Sequence, residues 1–184
     1  MCGIAGFWGP PDAALLATMT GRIAHRGPDG EGFFEHPLAS LGHRRLAIID
    51  PAGGHQPVGT DDGLVQLTYN GEVYNFRELR AELEAAGHTF HTACDTEVVL
   101  HAYLEWGTDC FARFNGMWAL ALLDLRPAAS DHRGPGLVLA RDHFGIKPLY
   151  YATSTTGRVV FASEAKAVLA DPDLETAPDR QWLY

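Results

Sequence analysis

Apolar residues along the chain recur in short runs that are separated by glycine, proline and other turn residues. This pattern predicts β-strands. The predicted strands lie at residues 3–8, 32–35, 41–49, 64–69, 117–124, 137–140, 149–152 and 159–162. Asn70 and Gly71 follow the fourth strand, and Val73 and Tyr74 continue beyond them, so we predict a tight hairpin turn at the Asn-Gly pair.

Four other segments carry apolar residues at the spacing of one helical face. They predict helices at residues 13–24, 77–86, 97–106 and 163–170. Gly87 is placed to end the second helix, and Asp95 and Thr96 are natural capping residues for the third. Strands precede and follow the two central helices, without regular alternation of strand and helix. That order predicts an α+β fold of antiparallel sheets with helices packed outside them, rather than a βαβ repeat.

The composition fits one globular domain. Of the 184 residues, 46% are hydrophobic and 20% are charged, which is enough to bury a core. Because the formal net charge is −9 and no apolar run could cross a bilayer, we expect neither nucleic acid nor a membrane as a partner. Three cysteines without a C-x-x-C pair, and nine histidines without metal-ligand spacing, predict no disulfide scaffold and no metal site. A reducing cytoplasm is the expected location.

Cys2 is the most informative position for chemistry. Removal of Met1, which a small second residue favours, leaves Cys2 with a free α-amino group beside its thiol. An α-amine has a reference pKa of about 7.7–8.0, so it can take and return protons near neutral pH. A nucleophile that carries its own base needs no separate histidine. The alternative is that Cys2 is only the start of an apolar strand.

Other residues could complete such a site, although each also has an ordinary structural explanation. Asn70 and Gly71 could donate a side-chain amide and a backbone N–H to an oxyanion, or could form only the turn. Arg45 offers a planar fork to a carboxylate, or is a surface charge. Asp95 and Glu72 could receive an ammonium group, or could be a helix cap and an exposed strand-end charge.

Several sequence blocks, in order, resemble the N-terminal glutaminase domain of class II glutamine amidotransferases, and most of all that of glutamine-dependent asparagine synthetases. The blocks are MCGIAG at 1–6, RGPDG at 26–30, GHRRLAIID at 42–50, YNGEVYN at 69–75, DTE at 95–97, FNGMW at 114–118, RDHFGIKPLYY at 141–151 and FASE at 161–164. The resemblance extends through about residue 170.

The resemblance implies a fold and a reaction. The fold is that of N-terminal-nucleophile hydrolases, a four-layer αββα sandwich with two antiparallel sheets between helical layers. The reaction is hydrolysis of L-glutamine to glutamate and ammonia through a cysteine thioester. Cys2 would be the nucleophile and its own amine the base, with Asn70 and Gly71 as the oxyanion hole.

The resemblance also implies how glutamine is held. Arg45 would bind the α-carboxylate, and Asp95 with Glu72 would bind the α-amine. Backbone groups around Ile48 and Ile49 would complete the pocket.

The family's second domain, an ATP-dependent synthetase, has no counterpart in the chain, since nothing resembles a pyrophosphate-binding loop. We therefore expect residues 1–170 to form the glutaminase domain, and residues 171–184 to be a linker or the start of a missing synthetase domain that acts in cis or in trans. ATP and Mg²⁺ are expected only in that partner, and no cofactor in this domain. The alternative is a catalytically silent module that binds glutamine or docks on a synthetase.

Overall fold

The computed structural model describes residues 1–47, 54–127 and 134–177. Its strands pair antiparallel and form two sheets. The five-stranded sheet has the order β2-β3-β1-β9-β8, and the four-stranded sheet has the order β4-β5-β6-β7. The strands are β1 (Gly3–Trp8), β2 (Gly30–His36), β3 (Ala39–Arg45), β4 (Val58–Gly59), β5 (Val65–Val73), β6 (Gly116–Asp124), β7 (Gly136–Arg141), β8 (Tyr150–Thr153) and β9 (Val159–Ala162).

Helices cover the outer face of each sheet. α1 and α4 pack on the five-stranded sheet, and α2 and α3 pack on the four-stranded sheet. The helices are α1 (Ala13–Arg22), α2 (Phe76–Ala85), α3 (Asp95–Trp106) and α4 (Ala165–Val168), with short 3₁₀ helices at Ala24–Arg26 and Gly107–Arg113. The α+β class and the four-layer αββα sandwich predicted from the sequence are confirmed.

β6 shows why the sequence folds into layers. Trp118, Leu120 and Leu122 face the helices α2 and α3, whereas Ala121 and Leu123 face the five-stranded sheet. These five side chains are at most 2% exposed. Because successive side chains of a strand point to opposite faces, a strand that is apolar at both sets of positions is covered on both sides.

α2 ends as the sequence predicts. Leu79 and Leu83 form its buried face. Gly87 follows with a φ of 101°, and the N–H of His88 donates to the Leu83 carbonyl at 2.9 Å. A residue with positive φ that ends a helix in this way is usually glycine.

The hairpin turn predicted at Asn70 and Gly71 is wrong. β5 runs without interruption from Val65 to Val73, and the two residues pair in register with Ala119 and Trp118 of β6. A Cβ on Gly71 would lie 2.5 Å from the Trp118 Cβ. Glycine is therefore needed here for the close approach of the neighbouring strand, not for a turn.

The capping role predicted for Asp95 is also wrong. α3 begins at Asp95 itself, with Cys94 in the N-cap position and no side-chain capping bond. The Asp95 carboxylate turns instead toward β5, where it accepts hydrogen bonds from Tyr69 and Val73.

His43 is buried between the two sheets and is 1% exposed. Its Nδ1 lies 3.2 Å from the Thr68 hydroxyl oxygen, and its Nε2 has no hydrogen-bond partner among the described residues. Burial, reinforced by the positive charge of Arg45, lowers the pKa of His43 from 6.5 to about 3. The folded protein therefore holds this imidazole neutral over most of the acidic range.

We expect this histidine to make the folded state sensitive to acid. Between pH 6.5 and about 3 the unfolded chain binds a proton that the folded chain does not. His43 therefore lowers the free energy of unfolding by about 1.4 kcal/mol for each pH unit below that upper value. Urea unfolding from about pH 7 to about pH 4.5 should show a flatter pH dependence in His43→Gln than in the wild type.

His55→Gln is the matched control, because it removes an exposed histidine. Its unfolding free energy should keep the wild-type pH dependence. A His43→Gln variant with that same dependence would contradict the prediction.

Candidate active site

A cavity of about 420 Å³ lies where both sheets meet the start of α3. Its wall is formed by the chain just before β1, the end of β3, the middle of β5, the start of α3 and the loop after β7. It is lined by six of the predicted site residues, Cys2, Arg45, Asn70, Gly71, Glu72 and Asp95. The other two, Ile48 and Ile49, lie outside the described residues.

Contacts to both its side chain and its backbone hold Cys2 at the cavity. The Leu46 N–H donates to the Cys2 Sγ at 3.4 Å, and the Sγ lies 3.6 Å from the Leu46 carbonyl oxygen. Arg26 donates from Nε to the Cys2 carbonyl oxygen at 3.0 Å, and its Nη1 pairs with Glu164 at 3.0 Å. β1 begins at the next residue, in the centre of its sheet. The thiol is therefore fixed relative to both β1 and β3.

Asn70 presents a hydrogen-bond donor without an acceptor. The residue is 2% exposed, and its Nδ2 has no partner among the described residues. Leaving a buried amide donor unpaired costs about 1–3 kcal/mol. Pairing with β6 on either side of Asn70 and Gly71 holds this donor in place. A preorganised donor of this kind stabilises negative charge that develops on a bound oxygen.

Asp95 is a buried carboxylate, 3% exposed, that is oriented by β5. The Tyr69 hydroxyl donates to its Oδ2 at 2.9 Å and the Val73 N–H donates to the same oxygen at 3.1 Å, while the Cys94 thiol lies 3.6 Å from Oδ1. Burial raises the pKa of Asp95 in spite of these hydrogen bonds. A cation bound in the cavity would favour the ionised carboxylate.

Arg45 and Glu72 add opposite charges to the same wall, and both are half-buried. Arg44 points to the other face of β3, where it pairs with Glu31 at 2.7 Å and donates to the Thr20 carbonyl at 3.2 Å. This separation follows from the alternation of side chains along a strand. The cavity thus offers a guanidinium and two carboxylates, which suit the two charged ends of an α-amino acid.

Comparison with known families identifies the kind of domain to which this cavity belongs. A family model described as a glutamine amidotransferase domain matches residues 1–184. The chain belongs to this family of glutamine amidotransferase domains.

The curated relatives of this amidotransferase domain are longer proteins. The chain is 39% identical to glutamine-hydrolyzing asparagine synthetase 3 of Bacillus subtilis (strain 168), over 100% of the chain and 30% of the relative. It is 40% identical to glutamine-hydrolyzing asparagine synthetase 2 of Oryza sativa subsp. japonica, over 93% of the chain and 28% of the relative. The chain thus spans less than a third of the length of these relatives.

A solved structure supports the fold assignment of the amidotransferase domain. The glutamine phosphoribosylpyrophosphate amidotransferase of B. subtilis superimposes with a TM-score of 0.75 and 22% identity, over 92% of this chain and 43% of that chain. The fold is that of the N-terminal-nucleophile hydrolases, as the sequence resemblance implied.

The amidotransferase cavity also contains residues that the sequence patterns did not single out. Gln56 accepts the Tyr69 N–H on Oε1 at 2.6 Å and donates from Nε2 to the Thr96 hydroxyl at 3.5 Å, so it joins β5 to α3. Cys94 and Lys147 complete this group. Cys94 precedes the resembling block at 95–97 and Lys147 lies within the block at 141–151, but the direction of each side chain depends on the fold.

Three further properties concern the described residues 1–47, 54–127 and 134–177. Within them, no group of three or more His, Cys, Asp or Glu side chains is arranged to hold a metal ion. The same part of the amidotransferase domain contains no helix that is long and apolar enough to cross a bilayer. All three cysteines of the chain are free thiols.

Proposed function

We propose that this domain hydrolyses L-glutamine to L-glutamate and ammonia through a thioester on Cys2. One observation carries the proposal: a thiol, an unpaired buried amide and charges for both ends of an amino acid line a single cavity. The cavity volume of about 420 Å³ is within the range of small-molecule sites.

In the proposed reaction, removal of Met1 first frees the α-amine of Cys2. This amine takes the thiol proton as the sulfur attacks the amide carbon of glutamine. The oxyanion that forms accepts hydrogen bonds from the Asn70 amide and the Gly71 N–H. The amine then delivers its proton to the leaving nitrogen, and ammonia departs as the C–N bond breaks. Water cleaves the thioester, which releases glutamate and restores the thiol.

The substrate would be held by its charged ends. Arg45 pairs with the α-carboxylate of glutamine, since a guanidinium matches a carboxylate with two parallel hydrogen bonds. Asp95 and Glu72 receive the α-ammonium group, and the raised pKa of Asp95 falls when that cation binds. Backbone groups around Ile48 and Ile49 complete the proposed pocket.

The similarity to glutamine-hydrolyzing asparagine synthetases supports a wider proposal. Ammonia from this site passes to an ATP-dependent synthetase domain, in the same chain or in a separate one, and ATP and Mg²⁺ bind there rather than here. Residues 1–170 form the glutaminase domain, and residues 171–184 lead toward that partner. A reducing cytoplasm keeps Cys2 as a free thiol.

The proposal is tested with a fusion protein in which protease cleavage leaves Cys2 as the first residue. We expect the cleaved chain to release ammonia from glutamine and the uncleaved fusion to release none, because an amide-linked Cys2 lacks its base. Intact mass identifies the N-terminus, and a coupled assay measures ammonia. Nα-acetylglutamine, which lacks the ammonium group, should not be hydrolysed. A cleaved chain that binds glutamine without releasing ammonia would instead indicate a silent binding module.

A further inference from the structure

Lys147 introduces a buried ammonium group into the catalytic cavity. The residue is 5% exposed and lines the cavity together with Cys2. Among the described residues, the contact of its Nζ is with the Sδ of Met1, at 3.2 Å. A thioether is a weak acceptor and carries no charge, so it does not neutralise this ammonium. Lys147 therefore brings to the cavity a positive charge that no ion pair among the described residues neutralises.

The loop that carries Lys147 is held rigidly by the carboxylate of Asp142. Four backbone N–H groups donate to that carboxylate: those of Trp118 at 3.2 Å, Phe144 at 3.1 Å, Ile146 at 2.9 Å and Lys147 at 3.0 Å. Burial on its own would raise the pKa of Asp142, but these hydrogen bonds hold the pKa below its usual value. The backbone of Lys147 cannot move away from the cavity without breaking this set of bonds.

The Lys147 ammonium contacts the residue whose removal would free the amine of Cys2. Met1 is joined directly to Cys2, and its side chain is the group that Lys147 touches. Removal of Met1 takes away that contact and leaves a new amine on Cys2, which lines the same cavity as Lys147. A positive charge close to an amine disfavours protonation of that amine.

We propose that Lys147 is a positioning residue that keeps the α-amine of Cys2 neutral, and thus able to accept the thiol proton, once Met1 is removed. The inference rests on the proposed glutaminase function. Charged groups of other elements also lie around Cys2; they are Arg26 with its partner Glu164, Arg45, Glu72 and Asp95. Bound glutamine engages Arg45 and the two cavity carboxylates, and Arg26 is paired with Glu164. Lys147 has no such partner among the described residues, so its charge remains available to act on the amine.

The pH dependence of kcat/KM tests this role in the processed chain. We expect the acid limb of the profile to move up by about one pH unit in Lys147→Gln, because the amine is then protonated more easily. Activity below that limb should fall about tenfold, and the profiles should converge at higher pH. Lys147→Arg keeps the charge and should keep the wild-type limb. Arg77→Gln, which removes an exposed cation on α2, should do the same.

Titration of the Cys2 amine by nuclear magnetic resonance, in protein with nitrogen-labelled cysteine, measures the same shift without turnover. A higher amine pKa in Lys147→Gln than in the wild type supports the inference even if the wild type proves inactive, in which case only the proposed function fails. An active wild type whose acid limb and amine pKa are unchanged in Lys147→Gln overturns the inference. A uniform loss of activity at every pH, with the limb unmoved, also overturns it, because that result describes a purely structural lysine.

Discussion

Cys2→Ala is expected to reduce glutamine hydrolysis by the processed chain to the uncatalysed rate, while glutamine binding persists. The substitution removes the sulfur atom that is the proposed nucleophile but leaves Arg45, Glu72 and Asp95 at the cavity wall. Cys94 also lines the cavity, but it cannot replace Cys2 because burial raises the pKa of its thiol. Ammonia release at saturating glutamine and calorimetric titration with glutamine measure the two properties separately.

Cys110→Ala is the matched control for the loss of a thiol. Cys110 is buried in the 3₁₀ helix after α3 and does not line the cavity. Its replacement should leave turnover near that of the wild type. If Cys2→Ala turned over glutamine as fast as Cys110→Ala, Cys2 would have no part in the chemistry.

Asn70→Ala is expected to lower kcat by about 10²–10³ with little change in KM, because one oxyanion donor acts mainly in the transition state. The same substitution should leave the free energy of unfolding unchanged or raise it. The Nδ2 of Asn70 has no partner in the described structure, so its removal relieves a desolvation cost instead of breaking a hydrogen bond. Steady-state kinetics and urea unfolding of one preparation test both expectations.

Asn75→Ala is a control for which we expect the opposite result, a loss of stability without a loss of kcat. Its Nδ2 donates to the Arg113 carbonyl at 3.0 Å, and its Oδ1 accepts the Asn115 N–H at 2.9 Å. Its removal should lower the free energy of unfolding by about 1–3 kcal/mol and leave kcat unchanged. A loss of stability with normal kcat in Asn70→Ala would assign that residue a structural role.

Local sequence patterns predicted most of the elements because burial and periodicity are properties of each segment. β1 and β9 were predicted with the bounds that the structure shows, and the buried face of α2 with its terminal Gly87 was also correct. The two errors share one cause, since both involve partners that are distant in sequence. An Asn-Gly pair is locally typical of a turn, but Asn70 and Gly71 pair with β6. Asp95 is locally typical of a helix cap, but its carboxylate accepts a hydrogen bond from the Tyr69 hydroxyl at 2.9 Å.

The sequence indicated several residues of the candidate site but not all of them. Cys2, Asn70, Gly71 and Asp95 carry chemistry that a pattern can indicate, and the fold brings all of them to one cavity. A single lysine in a loop carries no such signal. The position of Lys147 depends on hydrogen bonds that Asp142 makes with backbone groups of its own loop and of β6, and no local pattern indicates these bonds.

The pairing of β1 has a consequence for biosynthesis. This first strand lies between β3 and β9, with Gly3 opposite Arg44 and Ala5 opposite Ala162. The strand that follows Cys2 is thus paired on one side by a segment made soon after it and on the other by a segment made much later in translation. A nascent chain from which β9 has not yet emerged therefore carries Cys2 beside an incomplete sheet. The proposed activity is therefore expected to appear only after β9 has left the exit tunnel.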